Sequence, residues 1–342
     1  MVLVTGGAGY IGSHTCVELL DKGYGIVVVD NLSNSHDTAV ERVKAITGRD
    51  FPFYESDVCD EGALDKIFSA HPIDCVIHFA GLKAVGESVA IPIAYYKNNL
   101  LSTLALLEAM KRHNVRNFIF SSSATVYSEN NVMPLTEDAN LGNCSCPYGW
   151  TKYMNEQIIT DVINAEKNMS AVLLRYFNPI GAHESGLIGE DPSGIPNNLL
   201  PFIAQTAVGK HKEVAVHGDD YDTPDGTGIR DYIHVNDLAA GHVAAIKFCE
   251  TANGTHAFNL GSGQGVSVLE MIRTFEKVSG VKIPYRIAPR RPGDLAVGYA
   301  DPSKAADILN WRTAKTLEDG LADSWRWQSK NPGGYATGVN NI

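Results

Sequence analysis

Ser123, Tyr148 and Lys152 are the residues whose types and spacing could draw a proton from a hydroxyl. A tyrosine is a poor base at neutral pH, because its reference pKa is about 10. Lowering that value by about 3, roughly 4 kcal/mol, makes phenolate the major form at pH 7. A nearby ammonium favours phenolate. Lys152 lies four residues after Tyr148, on the same face if Pro147 opens a helix. Ser123 closes a Ser-Ser-Ser run and would hold the hydroxyl in line. Tyr-x-x-x-Lys alone is a common accident. Upstream, however, Thr5-Gly-Gly-Ala-Gly-Tyr-Ile-Gly12 forms a glycine-rich turn of the kind that holds a dinucleotide, an acceptor for hydride leaving the same carbon.

Two kinds of element must place these residues. Short apolar runs at Val2–Thr5, Ile26–Asp30, Phe53–Val58, Cys75–Ala80, Asn117–Ser123 and Ala171–Phe177 read as strands. Helical patterns lie between them, such as Leu100, Leu101, Leu104 and Met110, then Met154, Ile158 and Val162. Their alternation predicts an α/β fold, a Rossmann-type doubly wound parallel sheet whose ligands bind at the carboxyl ends of the strands. Past Asn178 the chain turns rich in Gly, Pro, Asn and Asp, with helical patterns returning at Asp237–Cys249 and Val268–Val278. The expected division is a cofactor domain over 1–177, with a returning segment near 228–257. A smaller α/β substrate domain occupies most of 178–342. The small, polar tail Gly333–Ile342 is expected to fray.

Composition removes several function classes. The 342 residues carry a formal net charge of -11, against a nucleic-acid surface. No apolar run approaches the roughly 20 residues of a membrane helix, and residues 1–12 show no targeting pattern. Six scattered cysteines (16, 59, 75, 144, 146 and 249), with no Cys-x-x-Cys, read as free thiols in a cytoplasmic protein. None of the eleven histidines forms a ligand-spaced cluster, so no metal is expected.

The cofactor site can be read further. Gly6, Gly9 and Gly12 follow a strand and precede a helix, with Tyr10 and Ile11 between them, so backbone can approach a pyrophosphate at a helix N-terminus. Asp30 ends the second strand 18 residues after Gly12, close to the position of the carboxylate that accepts ribose hydroxyls. No Arg or Lys lies between Asp30 and Val40 to meet a 2′-phosphate, which predicts NAD rather than NADP. Asp57 and Val58 could meet the adenine edge, and Phe79, Ala80 and Gly81 end the fourth strand where the cofactor must pass. Each could also be ordinary strand-end punctuation.

With these residues in place, the chain resembles the extended short-chain dehydrogenase/reductase group, and within it the UDP-glucose (UDP-galactose) 4-epimerases. The resemblance spans nearly the whole chain. It is carried by Val2–Gly12, His78-Phe-Ala-Gly-Leu-Lys-Ala-Val-Gly-Glu-Ser88, Phe120-Ser-Ser-Ser-Ala-Thr-Val-Tyr127 and Leu174-Arg-Tyr-Phe-Asn-Pro179. Gly194-Ile-Pro-Asn-Asn198, Gly228-Ile-Arg-Asp-Tyr-Ile-His234 and Ala288-Pro-Arg-Arg-Pro-Gly-Asp294 extend it. It implies that Tyr148 takes the sugar O4 proton while the C4 hydride passes to tightly held NAD. The flat 4-keto sugar then turns over and takes the hydride back on its other face. Ser123 would bridge O4 and the tyrosine, while Lys152 would also hold nicotinamide ribose hydroxyls.

The same resemblance assigns Asn31, Asn34, Ser35, Lys83, Asn98 and Phe177 to the cofactor. It places Lys83, Ser123, Tyr148, Asn178, Asn198, Leu199, Ala215, His217, Arg230, Arg291, Asp294 and Gly298 around a UDP-sugar. Arg230 and Arg291 suit a diphosphate. Two positions depart from the family. His217 stands where a Phe usually meets uracil, though an imidazole can still stack. Gly298 stands where members restricted to plain hexoses carry a bulky Tyr, which implies that UDP-GlcNAc and UDP-GalNAc are also substrates. Tyr299 follows at once, and a slip of one residue would restore the barrier. A homodimer through helices near 95–112 and 149–167 is also implied. A 4,6-dehydratase would need an Asp-Glu pair after the strand-end serine, where this chain has Ala124-Thr125. A non-catalytic NAD or nucleotide-sugar sensor would have little reason to keep the Ser-Tyr-Lys set.

Overall fold

A computed structural model describes residues 1–291 and 293–337. The first half alternates β1 (Val2–Thr5), α1 (Tyr10–Asp21), β2 (Ile26–Asp30), α2 (Asp37–Thr47), β3 (Phe53–Glu55), α3 (Glu61–Ala70) and β4 (Cys75–His78). Then come α4 (Val85–Ala90), α5 (Pro92–Arg112), β5 (Asn117–Ser123), α6 (Pro147–Ala165) and β6 (Ser170–Tyr176). The second half holds β7 (Asn178–Ile180), α7 (Leu199–Ala207), β8 (Val214–His217), β9 (Ile229–His234), α8 (Val235–Cys249) and β10 (Gly254–Leu260). It closes with β11 (Gly265–Ser267), α9 (Val268–Ser279), β12 (Tyr285–Ala288), β13 (Val297–Gly298), α10 (Ser303–Ile308) and α11 (Leu317–Lys330).

Seven strands form one parallel sheet in the order β10-β6-β5-β4-β1-β2-β3. β1 and β2 are apolar along nearly their whole length and buried at every position, because helices cover both faces. Val17, Val40, Val43, Leu238 and Ile246 pack one face from α1, α2 and α8. Leu64, Ile67, Leu106, Met110, Ile159 and Ile163 pack the other from α3, α5 and α6. The chain reverses direction across the sheet between β1 and β4, which opens a crevice at their carboxyl ends. The doubly wound sheet is as the sequence predicts, and α8 and β10 return to it from beyond Asn178.

β7 leaves β6 after Phe177 and pairs with β9, which also pairs with β11 and β13. β8 pairs with β12. Ile203, Val216, Met271, Phe275 and Leu321 form the core of this smaller layer.

Several expected bounds need correction. β3 stops at Glu55, because Asp57 turns the chain by accepting from Cys59 N at 2.8 Å and Asp60 caps α3 through Ala63 N. β4 stops at His78, after which Phe79 N still donates to Thr5 O but the chain diverges. β6 spans Ser170–Tyr176, one residue earlier than expected. The tail is not wholly frayed: Gly334–Thr337 form a 3-10 turn, and Tyr335 is buried beside Arg42 and Trp327. Residues 338–342 lie outside the described residues, as does Pro292. Among the described residues no helix is long and apolar enough to cross a membrane.

Candidate active site

The glycine turn between β1 and α1 is shaped by close backbone approaches. Gly6 has φ of +68°, and a Cβ there would stand 2.7 Å from Ala80 N, two residues past the end of β4. At Gly12 a Cβ would meet Gly6 O at 2.2 Å. The turn therefore sits in the crevice between β1 and β4, with the N-terminus of α1 open to an anion and no side-chain cap. Asp30, at the end of β2, is buried and orders the neighbouring loops. Its Oδ2 accepts from Ala8 N at 3.0 Å, and its Oδ1 accepts from Leu32 N at 3.0 Å and Ser35 Oγ at 2.8 Å. Asn31 Nδ2 donates to Asp57 Oδ2 at 3.2 Å, tying the ends of β2 and β3 together. Asn34 is exposed beside them, whereas Val58 is buried in the core. These features fit a dinucleotide: a side-chain-free cradle, an open helix N-terminus and a strand-end carboxylate.

Ser123 ends β5, and its Oγ accepts from Thr125 N at 3.2 Å and Thr125 Oγ1 at 3.0 Å. Cys146 caps α6 through Gly149 N, and Pro147 takes the first helical position, where its missing N–H costs nothing. Tyr148 and Lys152 then share one face. Burial pushes the Tyr148 phenol up to about 12, while a hydrogen bond with Ser123 pulls it down. The Lys152 ammonium lies 5.9 Å from the Tyr148 ring centre and 4.8 Å from that of Phe120. It donates to Ser121 O at 2.5 Å. Burial lowers its pKa to about 8, against the pull of Glu156. It remains mostly protonated at pH 7.

Sequence reasoning missed the layer beneath this trio. Glu156, one turn beyond Lys152, accepts from Ser122 Oγ at 2.5 Å and from Arg175 at 3.0 and 2.7 Å. Arg175 is opposite Ser122 in the β5–β6 register, so a buried ion pair fastens α6 to both strands. Asn99 does the same for the loop after β4, donating to Leu82 O at 2.9 Å and Thr151 Oγ1 at 3.0 Å. Its Oδ1 also accepts from Asn98 Nδ2 at 3.0 Å. The four-residue step from Lys152 to Glu156 was a visible signal; the others join distant segments.

On the second layer, Asp294 accepts from the Arg230 guanidinium and lies 3.4 Å from Arg291 Nε, bringing the two expected guanidiniums together. Asn178 Nδ2 donates to Asp231 O at 2.9 Å, joining β7 to β9. Lys83 and Asn198 meet at Glu190, while Leu199 opens α7. Ala215 lies on β8, and the half-buried His217 ends it, with Nδ1 3.1 Å from Pro289 O. Phe177 is buried between the layers. Gly298 is in register with Arg230, and a Cβ there would find only Arg230 Cδ, at 4.0 Å. Tyr299 faces Gly265 instead, 3.7 Å from where a Cβ on that glycine would stand. Gly265 is in register with Asp231, on the alternate face of β9. Among the described residues, no group of three or more His, Cys, Asp or Glu could hold a metal ion.

Known proteins are similar to this chain in sequence and in overall fold. The model of the NAD dependent epimerase/dehydratase family matches residues 2–261. The UDP-glucose 4-epimerase of Bacillus subtilis (strain 168) is 60% identical over 334 residues, 98% of this chain and 98% of that protein. A crystal structure of UDP-glucose 4-epimerase from Bifidobacterium longum, in complex with NAD+ and UDP, has a TM-score of 0.94 at 58% identity. It covers 97% of this chain and 99% of its own. The UDP-Glc/GlcNAc 4-epimerase from Campylobacter jejuni has a TM-score of 0.84 at 37% identity, covering 96% of this chain and 98% of its own. This chain belongs to the NAD dependent epimerase/dehydratase family.

Proposed function

We propose that the chain inverts C4 of UDP-hexoses reversibly, interconverting UDP-glucose and UDP-galactose with NAD retained through the cycle. The observation that carries this reading is Ser123 at the end of β5 beside Tyr148 and Lys152 on the first turns of α6, over the sheet whose β1 leads into the glycine turn. The identity to UDP-glucose 4-epimerases over nearly the full chain supports it.

Gly6, Gly9, Tyr10, Ile11, Gly12, Asp30 and Ser35 hold the adenosine and pyrophosphate part of NAD, and Lys83, Asn98 and Lys152 its nicotinamide end. When bound, NAD supplies a hydride acceptor and donor for the sugar C4. The protein supplies the proton chemistry. Ser123 Oγ aligns O4 with Tyr148 Oη, which takes the proton on the way to the ketone and returns it on the way back. The Lys152 ammonium stabilises the phenolate that forms. Arg230 and Arg291 take the diphosphate, and His217 stacks on uracil. Asn178, Asn198, Leu199, Ala215 and Asp294 complete the nucleotide-sugar contacts.

The open ground beside Gly298 supports a wider substrate range that includes UDP-GlcNAc and UDP-GalNAc. Residues 1–177, with the returning segment near 228–257, act as the cofactor domain, and most of 178–342 as the sugar domain. Leu101 and Leu104 lie exposed on α5 rather than in the core, which supports a homodimer through α5 and α6 in a cytoplasmic enzyme. Sedimentation at micromolar concentration tests the dimer; a strict monomer refutes it. Thr125 donates to Ser123 where a dehydratase would place acids, which disfavours that rival. Tyr148→Phe tests the central assignment: turnover should collapse while NAD and UDP remain bound.

A further inference from the structure

Glu190 stands between the two halves of the site, in the loop from β7 to α7, where the sequence expectations named Asn198 but not Glu190. Its Oε1 accepts from Lys83 Nζ at 3.2 Å and from Asn198 Nδ2 at 3.0 Å. Lys83 belongs to the loop leaving β4, beside the glycine turn. Asn198 immediately precedes α7 in the smaller layer. One oxygen thus joins a cation on the cofactor side to an amide on the sugar side. The carboxylate side chain is only 10% exposed, although that of Lys83 is 48% exposed.

The segment carrying Glu190 is fixed from behind. Arg42 Nη1 donates to Leu187 O at 2.8 Å, and Gly189 N donates to Tyr335 Oη at 3.2 Å. Trp327 Nε1 donates to Glu190 O at 3.2 Å, and Tyr335 N donates to Asp191 Oδ2 at 2.7 Å. The Trp327 and Tyr335 ring centres are 4.7 Å apart, with the Arg42 guanidinium over both. Four of the five residues from 187 to 191 are therefore clamped, which sets where the carboxylate sits.

The start of α7 indicates what the carboxylate does. Asparagine is a favoured N-cap, and Asn198 has the extended backbone of one, with φ -83° and ψ 148°. Its side chain nevertheless makes no capping bond. The amide is drawn to Glu190, and the first turn of α7 keeps its N–H groups clear of a side-chain cap.

We propose that Glu190 is a positioning residue that sets both ligand sites at once, an inference that rests on the proposed epimerase function. It holds Asn198 off the N-terminus of α7, leaving that end to the diphosphate. It also holds the Lys83 ammonium at the nicotinamide end. The two sites are thereby registered to each other through one carboxylate.

The test compares Glu190→Ala and Glu190→Gln in the full-length protein, reading KM and kcat for UDP-glucose, NAD per chain after gel filtration, and melting temperature. Glu190→Ala should raise KM about tenfold, with a smaller change in kcat, and should lose NAD faster. Glu190→Gln keeps an acceptor oxygen and should stay within about threefold of wild type. Lys83→Met should lose NAD equally, and adding Glu190→Ala to it should cause no further loss. A Glu190→Ala protein that melts lower but keeps wild-type KM and NAD content overturns the proposal. If Glu190→Ala does not fold, Lys83→Met with full NAD retention overturns it instead. A wild type that cannot invert UDP-glucose refutes the proposed function; with an active wild type, the variants alone decide the role of Glu190.

Discussion

Gly298→Tyr isolates the width of the sugar pocket. The backbone of Gly298 is not in the left-handed region, and the nearest atom to a Cβ there is Arg230 Cδ, at 4.0 Å. The substitution therefore meets no core clash, and folding stability should change by no more than about 0.5 kcal/mol. The new ring would fill the open ground beside β9, where an acetamido group needs room. A single methylene in a pocket changes discrimination by about 1–3 kcal/mol, or 10–200-fold. Excluding an acetamido group should reach the upper part of that range. The kcat/KM for UDP-GlcNAc should fall about 100-fold, while that for UDP-glucose stays within about threefold. Proton NMR of C4 inversion provides both values on one preparation. On the proposed assignment Arg230 serves the diphosphate common to both substrates, so disturbing it would lower both rates together. Equal losses on the two sugars, or no loss on either, would refute the open-wall reasoning.

Other perturbations probe the layers beneath the site. Tyr148→Phe removes the proposed proton carrier and should cut kcat by about 10²–10⁴, with UDP affinity retained by calorimetry. Lys152→Met should abolish turnover yet raise the melting temperature. The folded-state pKa of about 8 lies below the ordinary 10.5, so the buried charge costs roughly 3 kcal/mol below pH 8. Between pH 8 and 10.5 the unfolded chain binds more protons, so this group makes stability rise with pH there. The variant should lose that rise in denaturant titrations, and an unchanged rise would contradict the burial of Lys152. Glu156→Gln leaves the Arg175 charge unpaired in the core and should cost about 3–5 kcal/mol in urea unfolding. Gly6→Ala strains a positive φ and drives a methyl toward Ala80, so NAD content should fall even where the fold survives.

Local pattern carried much of the fold. β1, β2 and β5 matched their expected ends because their apolar runs stop at polar strand-end residues such as Asp30 and Ser123. β3 and β4 stopped early because Asp57 and the loop after His78 leave the ladder, a matter of hydrogen-bond partners rather than hydropathy. The short strands β7, β9, β11 and β13 escaped notice in the Gly- and Asp-rich second half. The grouping of Ser123, Tyr148 and Lys152 was legible because Tyr148 and Lys152 are helical neighbours and Ser123 ends a strand. Glu190 was not, since its partners lie 107 and 8 residues away and no period links them. The fraying expected of Tyr335 failed for the same reason: its partners are Arg42, Gly189 and Trp327, all far from the tail or on another element.

The most direct test incubates purified protein with UDP-glucose, without added NAD, and follows the sugar protons by NMR. Growth of UDP-galactose signals toward equilibrium, with no net NADH released, is the expected result. Unchanged UDP-glucose, both without NAD and after saturating NAD is added, would contradict C4 inversion as the chemistry of this site.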